Sequence, residues 1–332
     1  MDVLNAEKRI VNVRFTQKFP GVEVGGSSSM KSSNIGGQAV MEGVMMRNAD
    51  KYAVAVRKTD GEIVVKTEEY KGIVQNKKIR SLPIIRGVFS FIDSMVLGMS
   101  TLTYSASFFM DEEEEEKDEK KESVMMGLTI ACSVVMAVAI FMILPYFLSQ
   151  LFRKFTDSTT LITLLEGAVR LVIFFGYILL ISRMKDIQRV FMYHGAEHKC
   201  INCIEHGMEL NVENVLKSSR LHKRCGTSFL FIVMIVSIIF FLFIRIESPI
   251  WRVVFRLLLI PVIAGVSFEF IRLAGKSENK LVILLSKPGM MLQKLTTREP
   301  DASMAEVAIA SVEAVFDWRA YLKENFWWQE KV

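Results

Sequence analysis

The alternation of apolar and polar stretches divides the chain sharply. Val124–Leu148 is 25 residues without a charge, and a helix of that length exceeds the roughly 30 Å hydrocarbon core of a bilayer. Thr159–Ser182 is broken only by Glu166 and Arg170, four apart and so on one helical face where they can neutralise each other. Phe229–Ile244, closed by Arg245 and Glu247, and Trp251–Phe270, carrying Arg252, Arg256 and Glu269, complete four predicted spans. Leu82–Phe109 differs, because Pro83, Arg86, Asp93, two glycines and several hydroxyls make it more amphipathic than a clean span. The pattern predicts an α-helical integral membrane protein of about four transmembrane helices, one amphipathic or re-entrant segment, and a small cytoplasmic β-hairpin unit.

The hairpin is expected within Tyr52–Tyr70. Ala53–Val56 and Ile63–Val65 have strand character, and Asp60-Gly61 between them supplies the positive φ of a tight turn. The expected organisation is a flexible segment at 1–34, Gly/Ser-rich from Gly25 to Asn34, then the β-containing unit at 35–81. The amphipathic segment (82–110) and an acidic linker (111–123) follow. The membrane domain (124–270) carries a His/Cys loop at 183–227, and the tail (271–332) contains an amphipathic helix, Met304–Phe316.

Composition agrees with a membrane protein: 51% of the 332 residues are hydrophobic and mean hydropathy is +0.31. Residues 1–20 lack the apolar core of a signal peptide. With 41 basic against 36 acidic residues the net charge is +5, which gives no case for nucleic acid; the partner implied is the lipid bilayer. Eight Lys and Arg in the 183–227 segment, against Arg153 and Lys154 in an opposite loop, place that segment and both termini on the cytoplasmic side of the plasma membrane. Four cysteines exclude a disulfide scaffold.

The candidate chemistry is concentrated. All four histidines fall between His194 and His222, and Cys200, Cys203 and Cys225 lie in the same 183–227 segment. On a helix, His194 and His198 stand at i and i+4 and reach one ion, and Glu197 completes the His-x-x-Glu-His order of a zinc peptidase, with the glutamate as general base. His222 and Cys225 offer a second imidazole–thiol pair. Four protein ligands would make a structural site; three would leave a position for water. Zinc suits mixed imidazole and thiolate donors. Cys200 and Cys203 form a C-x-x-C without thioredoxin-like surroundings, and His206, before Gly207, reads as a helix-end residue.

These residues resemble a bacterial membrane-protein family, the YqhQ-like family. The likeness rests on Gly36–Arg47, His194–Lys199, Leu221–Phe229 and Leu295–Pro300, and extends from about Ile35 to Phe316. It implies a metal-dependent enzyme without an assigned reaction. Within the first string, Gln38, Glu42 and Arg47 punctuate an apolar run that reads as a helix packed on the protein, with Glu42 a candidate acceptor for a metal-bound imidazole. Glu269 is a second such candidate, or a partner for Arg272.

Two functions are consistent with this reading. One is a membrane-bound zinc hydrolase in which His194, His198 and His222 hold the metal, Glu197 deprotonates water, and Arg170 and Arg256 meet an anionic lipid head group. The other is a non-enzymatic scaffold whose loop is clasped by zinc through His194, His198, His222 and Cys225. A transporter ranks behind both, because the spans have few polar residues at mid-membrane.

Overall fold

A computed structural model describes residues 31–109, 119–244, 246, 248–276 and 279–326. Four antiparallel strands, β1 (Gly36–Val40), β2 (Gly43–Asn48), β3 (Lys51–Arg57) and β4 (Ile63–Glu69), form a sheet in the order β1-β2-β3-β4. The expected hairpin is β3–β4, with Gly61 at φ 89°. Gly36–Arg47, by contrast, is a second hairpin and not a helix. Met41 and Glu42 form its turn, and Glu42 takes φ 47°. The misreading has a physical cause: Val44 and Met46 pack on one side of the sheet while Val40 and Met45 pack on the other, so both faces are covered and the period of two is lost.

Among the described residues, twelve α-helices follow the sheet: α1 (Lys77–Ser81), α2 (Ile85–Ala106), α3 (Glu119–Val138), α4 (Leu144–Gln150), α5 (Thr159–Ile181), α6 (Lys185–Glu205), α7 (Val212–Lys217), α8 (Gly226–Leu242), α9 (Pro249–Lys276), α10 (Lys280–Thr296), α11 (Ala302–Val315) and α12 (Trp318–Phe326). The expected tail helix is α11, and it belongs to the core: with α6 it covers one face of the sheet, where Met304, Val307 and Val312 meet Tyr193, Ala196 and Ile201. The 183–227 segment is largely helical. Its main element, α6, is buried continuously from Gly195 to Glu205, because the sheet, α7 and α11 pack around it.

The other face of the sheet is covered by α2. Buried Asp93 accepts hydrogen bonds from the Tyr70 hydroxyl (3.1 Å) and the Ile73 N–H (2.8 Å). Gln38 donates to the Gly98 carbonyl (3.2 Å) and to Thr101 Oγ1 (3.0 Å). The opposite side of α2, Ile92, Met95, Val96, Met99 and Leu102, is exposed and apolar. Among the described residues, four helices are long and apolar enough to cross a membrane: Ile85–Phe109, Gly127–Lys154, Thr159–Ile181 and Ile250–Gly275. The expected third span is the shorter α8, 17 residues and about 25 Å long.

Three charges lie buried among α5 and α9. Arg256 pairs with both carboxylate oxygens of Glu166, and Arg170 Nη2 reaches Glu166 Oε1 at 2.9 Å. Arg170 Nε also donates to the Phe141 carbonyl (2.9 Å), in the π-helical turn Ala139–Ile143. Pro145, four residues later, has no N–H for that carbonyl, which leaves it open to the guanidinium. Arg170 and Arg256 are therefore committed to Glu166 and internal acceptors, which overturns the expectation that they meet lipid head groups. Residues 1–30 and 110–118 lie outside the described residues and take with them most of the Gly/Ser-rich lead-in and the acidic run. The expected linker residues Glu119–Glu122 are the first turn of α3.

Candidate metal centre

Helix α6 puts His194 and His198 on one face, their ring centroids 4.4 Å apart. The third group arrives from the start of α8, where Cys225 is the N-cap and accepts from Thr227 N–H. One ligand atom each from His194, His198 and Cys225 lies within 4.8 Å of the others, and Cys225 Sγ is 3.3 Å from His194 Nε2. Both rings are held from behind by main-chain carbonyls: His194 Nδ1 by Thr296 O at 2.9 Å and His198 Nδ1 by Arg220 O at 2.6 Å. A carbonyl can only accept, so each Nδ1 carries a proton and Nε2 is the ring nitrogen left to meet an ion. This is the outer support expected of imidazole metal ligands.

The carbonyls are positioned by other parts of the fold. Buried Lys199 donates to Leu216 O and Ser218 O (both 2.8 Å), and Asn202 donates to Ser219 O (2.6 Å) and Leu221 O (3.0 Å), so α6 itself fixes the strand of chain that presents Arg220 O. On the other side, Arg298 N–H donates to Phe191 O (2.8 Å), drawing the end of α10 onto α6. The approach needs a glycine: a Cβ at Gly195 would stand 2.0 Å from Arg298 O.

Electrostatics agree with a thiolate between imidazoles. Burial disfavours the Cys225 thiolate, but His194 and His198 outweigh it and hold the thiol well below its ordinary pKa. Burial likewise opposes a charged His194, yet Cys225 and Glu197 raise it to about 9. Glu197 is pushed up by burial, only partly offset by His198 and His194, and its Oε2 is buried with no hydrogen-bond partner. A cavity of about 320 Å³ opens onto Glu197, His194, His198 and Cys225 and runs past β1 and the first turn of α8.

The remaining expected site residues lie elsewhere. His222 lines the cavity, 5.8 Å ring to ring from His198, but its Nε2 is 3.3 Å from Glu205 Oε2 and it stands outside the ligand group. Glu205, which also binds Arg224 and accepts from Ser33 N (2.7 Å) and Oγ (2.8 Å), would be raised by burial. His222, Arg224 and Ser33 more than offset that and bring it down to about 2. Glu42 is not behind an imidazole: it pairs with Arg189 and accepts from the Tyr193 hydroxyl at 3.3 Å. Glu269 pairs with Arg86 and not with Arg272. Cys200 and Cys203 are core residues, pushed up by burial, Cys203 to about 12. His206 is the C-cap of α6. Glu205 and the carbonyls of Arg220 and Thr296 were invisible as site components; only the shared Leu295–Pro300 string pointed toward the last.

Residues 82–318 match the family described as protein of unknown function (DUF1385). The chain is 36% identical over 301 residues to a Bacillus subtilis (strain 168) protein described as uncharacterized protein YqhQ, covering 87% of this chain and 94% of that protein. No solved structure matches it. The chain belongs to the DUF1385 family, whose function is unknown.

Proposed function

We propose that the protein is a membrane-bound zinc hydrolase whose metal is held by three ligands, His194 Nε2, His198 Nε2 and Cys225 Sγ. The observation that carries this reading is the partnerless Oε2 of Glu197, buried on the wall of the cavity that the three ligand atoms share. A buried carboxylate oxygen without a partner is costly. It is accounted for if the group exchanges a proton with water. Zinc bound there would supply Lewis acidity, making water a better nucleophile at neutral pH and polarising an acyl or phosphoryl oxygen. Glu197 takes the proton from that water and delivers it to the leaving group, and its raised pKa suits a base that must also act as an acid. Thr296 and Arg220 carbonyls keep the histidines in the binding tautomer, and the substrate is an amide, ester or phosphoester.

Metal analysis of purified protein tests this directly. One zinc per chain is expected, lost in His194→Ala and Cys225→Ala but retained in Glu197→Gln and His222→Ala. Loss of zinc from His222→Ala would favour the four-ligand structural clasp and the scaffold reading. Metal-free wild-type protein would end both.

A second reading rests on Cys225 alone. A thiolate at a helix N-terminus, 3.3 Å from an imidazole whose other nitrogen is held by a carbonyl, is also a cysteine nucleophile with its base. Chelation separates the two, since a thiol enzyme would survive removal of zinc.

We further propose that the protein lies in the plasma membrane with the sheet, α6, α11 and α12 on the cytoplasmic side. In this placement α2 rests in the interface plane, its polar side on the sheet and its exposed apolar side in lipid.

A further inference from the structure

Among the described residues β1 ends the sheet, and one of its edges has no strand partner there. Gly36, Gly37, Gln38 and Ala39, four consecutive residues, all line the cavity that holds Glu197, His194 and Cys225. Side chains along a strand alternate between faces. A cavity lying over one face would touch every second residue; one that meets four in a row runs along the main chain at the strand's edge.

The direction of that edge is fixed by Glu197. Its carboxylate receives a backbone hydrogen bond from Gly37, so the Gly37 N–H points away from β2 and toward the site. Backbone polar groups repeat every two residues, which aims the N–H and C=O of Ala39 the same way. In the pairing of β1 with β2, Ala39 stands opposite Val44 and Gly37 opposite Met46. Both belong to the same alternate set, whose amides face away from β2. Gly37 also keeps the edge close to the base: a Cβ there would meet Glu197 Cγ at 3.2 Å. The lining also includes the apolar side chains of Phe191 and Leu230, which suit side chains of an extended chain.

We propose that the substrate is a polypeptide, bound in extended form as an added strand along the free edge of β1, which lays one of its peptide bonds beside Glu197. This deepens the hydrolase reading and rests on it. The reaction balances without an oxidant or reductant: water loses a proton to Glu197 Oε2, its oxygen bonds to the peptide carbon, the C–N bond breaks, and the proton passes to the departing amine. Main-chain hydrogen bonds to Ala39 supply affinity with little regard to sequence, and alternate side chains fall toward Phe191 and Leu230.

Three hydroxamates test it on the zinc-loaded, full-length protein in lipid nanodiscs, with affinities measured by calorimetry. Acetohydroxamate reports the metal alone, a tripeptide hydroxamate adds a strand, and dodecanohydroxamate adds an acyl chain. The tripeptide compound is expected to bind at least tenfold more tightly than acetohydroxamate. N-methylation of the one backbone amide that faces Ala39 should cost about threefold to tenfold, and methylating its neighbours much less. Ala39→Pro, which deletes the edge N–H, should shrink the tripeptide's advantage while zinc content stays at one per chain. If that variant does not fold, the methylated series on the wild-type protein decides alone. Equal affinity of methylated and unmethylated peptides, or tightest binding by the acyl compound, overturns the peptide proposal and leaves the metal centre standing. Failure of acetohydroxamate to bind zinc-loaded protein removes the open coordination position, and the hydrolase with it.

Discussion

A methyl group added at Gly195 would collide with the Arg298 carbonyl at 2.0 Å, and the end of α10 would have to move off α6. The Thr296 carbonyl would then leave His194, and loss of such a support weakens metal binding roughly 10–100-fold. Gly195→Ala is accordingly expected to bind zinc more weakly by that factor in a competition titration with a chelator, with its helix content unchanged. Glu205 gives a pH signature. Its pKa falls from 4.5 to about 2 on folding, so it contributes stability that is complete above pH 4.5 and disappears as pH drops through 2. The contribution is roughly 3 kcal/mol. Comparing Glu205→Gln with wild type by thermal unfolding should therefore show a deficit at pH 7 that narrows below pH 4.5. At this scale the sequence was partly legible: the i, i+4 histidines and Cys225 meet, because helical spacing is local. Neither the displacement of His222 by Glu205 nor the two supporting carbonyls could be read, since they depend on contacts 17 to 102 residues apart.

Two elements carry charge or polarity where apolar residues would be expected, and each has a consequence. In the α5–α9 pair, one carboxylate is shared by two guanidinium groups, with Arg256 Nε buried and unpartnered. Glu166→Gln leaves both cations without a counter-ion, and breaking a buried pair in this way costs about 3–5 kcal/mol. The variant is expected to melt far below wild type in detergent, and Arg170→Met combined with Glu166→Gln should recover part of the loss. For α2, a tryptophan at Val96 should be quenched most by lipids brominated at shallow acyl positions; strongest quenching at the bilayer centre would mean that the helix crosses. The amphipathic pattern of α2 was visible beforehand, because its polar positions recur on one side. The β1–β2 hairpin was not, because a strand covered on both faces has the same apolar run as a packed helix.

Across the whole molecule, the ligand group joins pieces distant in sequence: α6, the start of α8, and, through Thr296, the end of α10. A ligand that binds only the folded state stabilises it in proportion to the logarithm of its concentration over its dissociation constant. Removing zinc is expected to lower the melting temperature and to speed amide exchange at residues 216–228 and 293–300 more than in the sheet, as read by mass spectrometry. Equal exchange with and without metal would mean that the ion does not tie these segments together. The long apolar helices and the cluster of histidines were legible from composition and periodicity. The place of β1 beside the site was not, since it arises from tertiary packing of a strand more than 150 residues away from His194.

The assembly of the site from Gly37, His194, Cys225 and Thr296 also has a bearing on biosynthesis. A ribosome delivers the strand first and the supporting carbonyl nearly 260 residues afterwards. Throughout synthesis, then, the growing chain lacks the carbonyl that holds His194 in place, and the ligand group stays incomplete until Thr296 has been added.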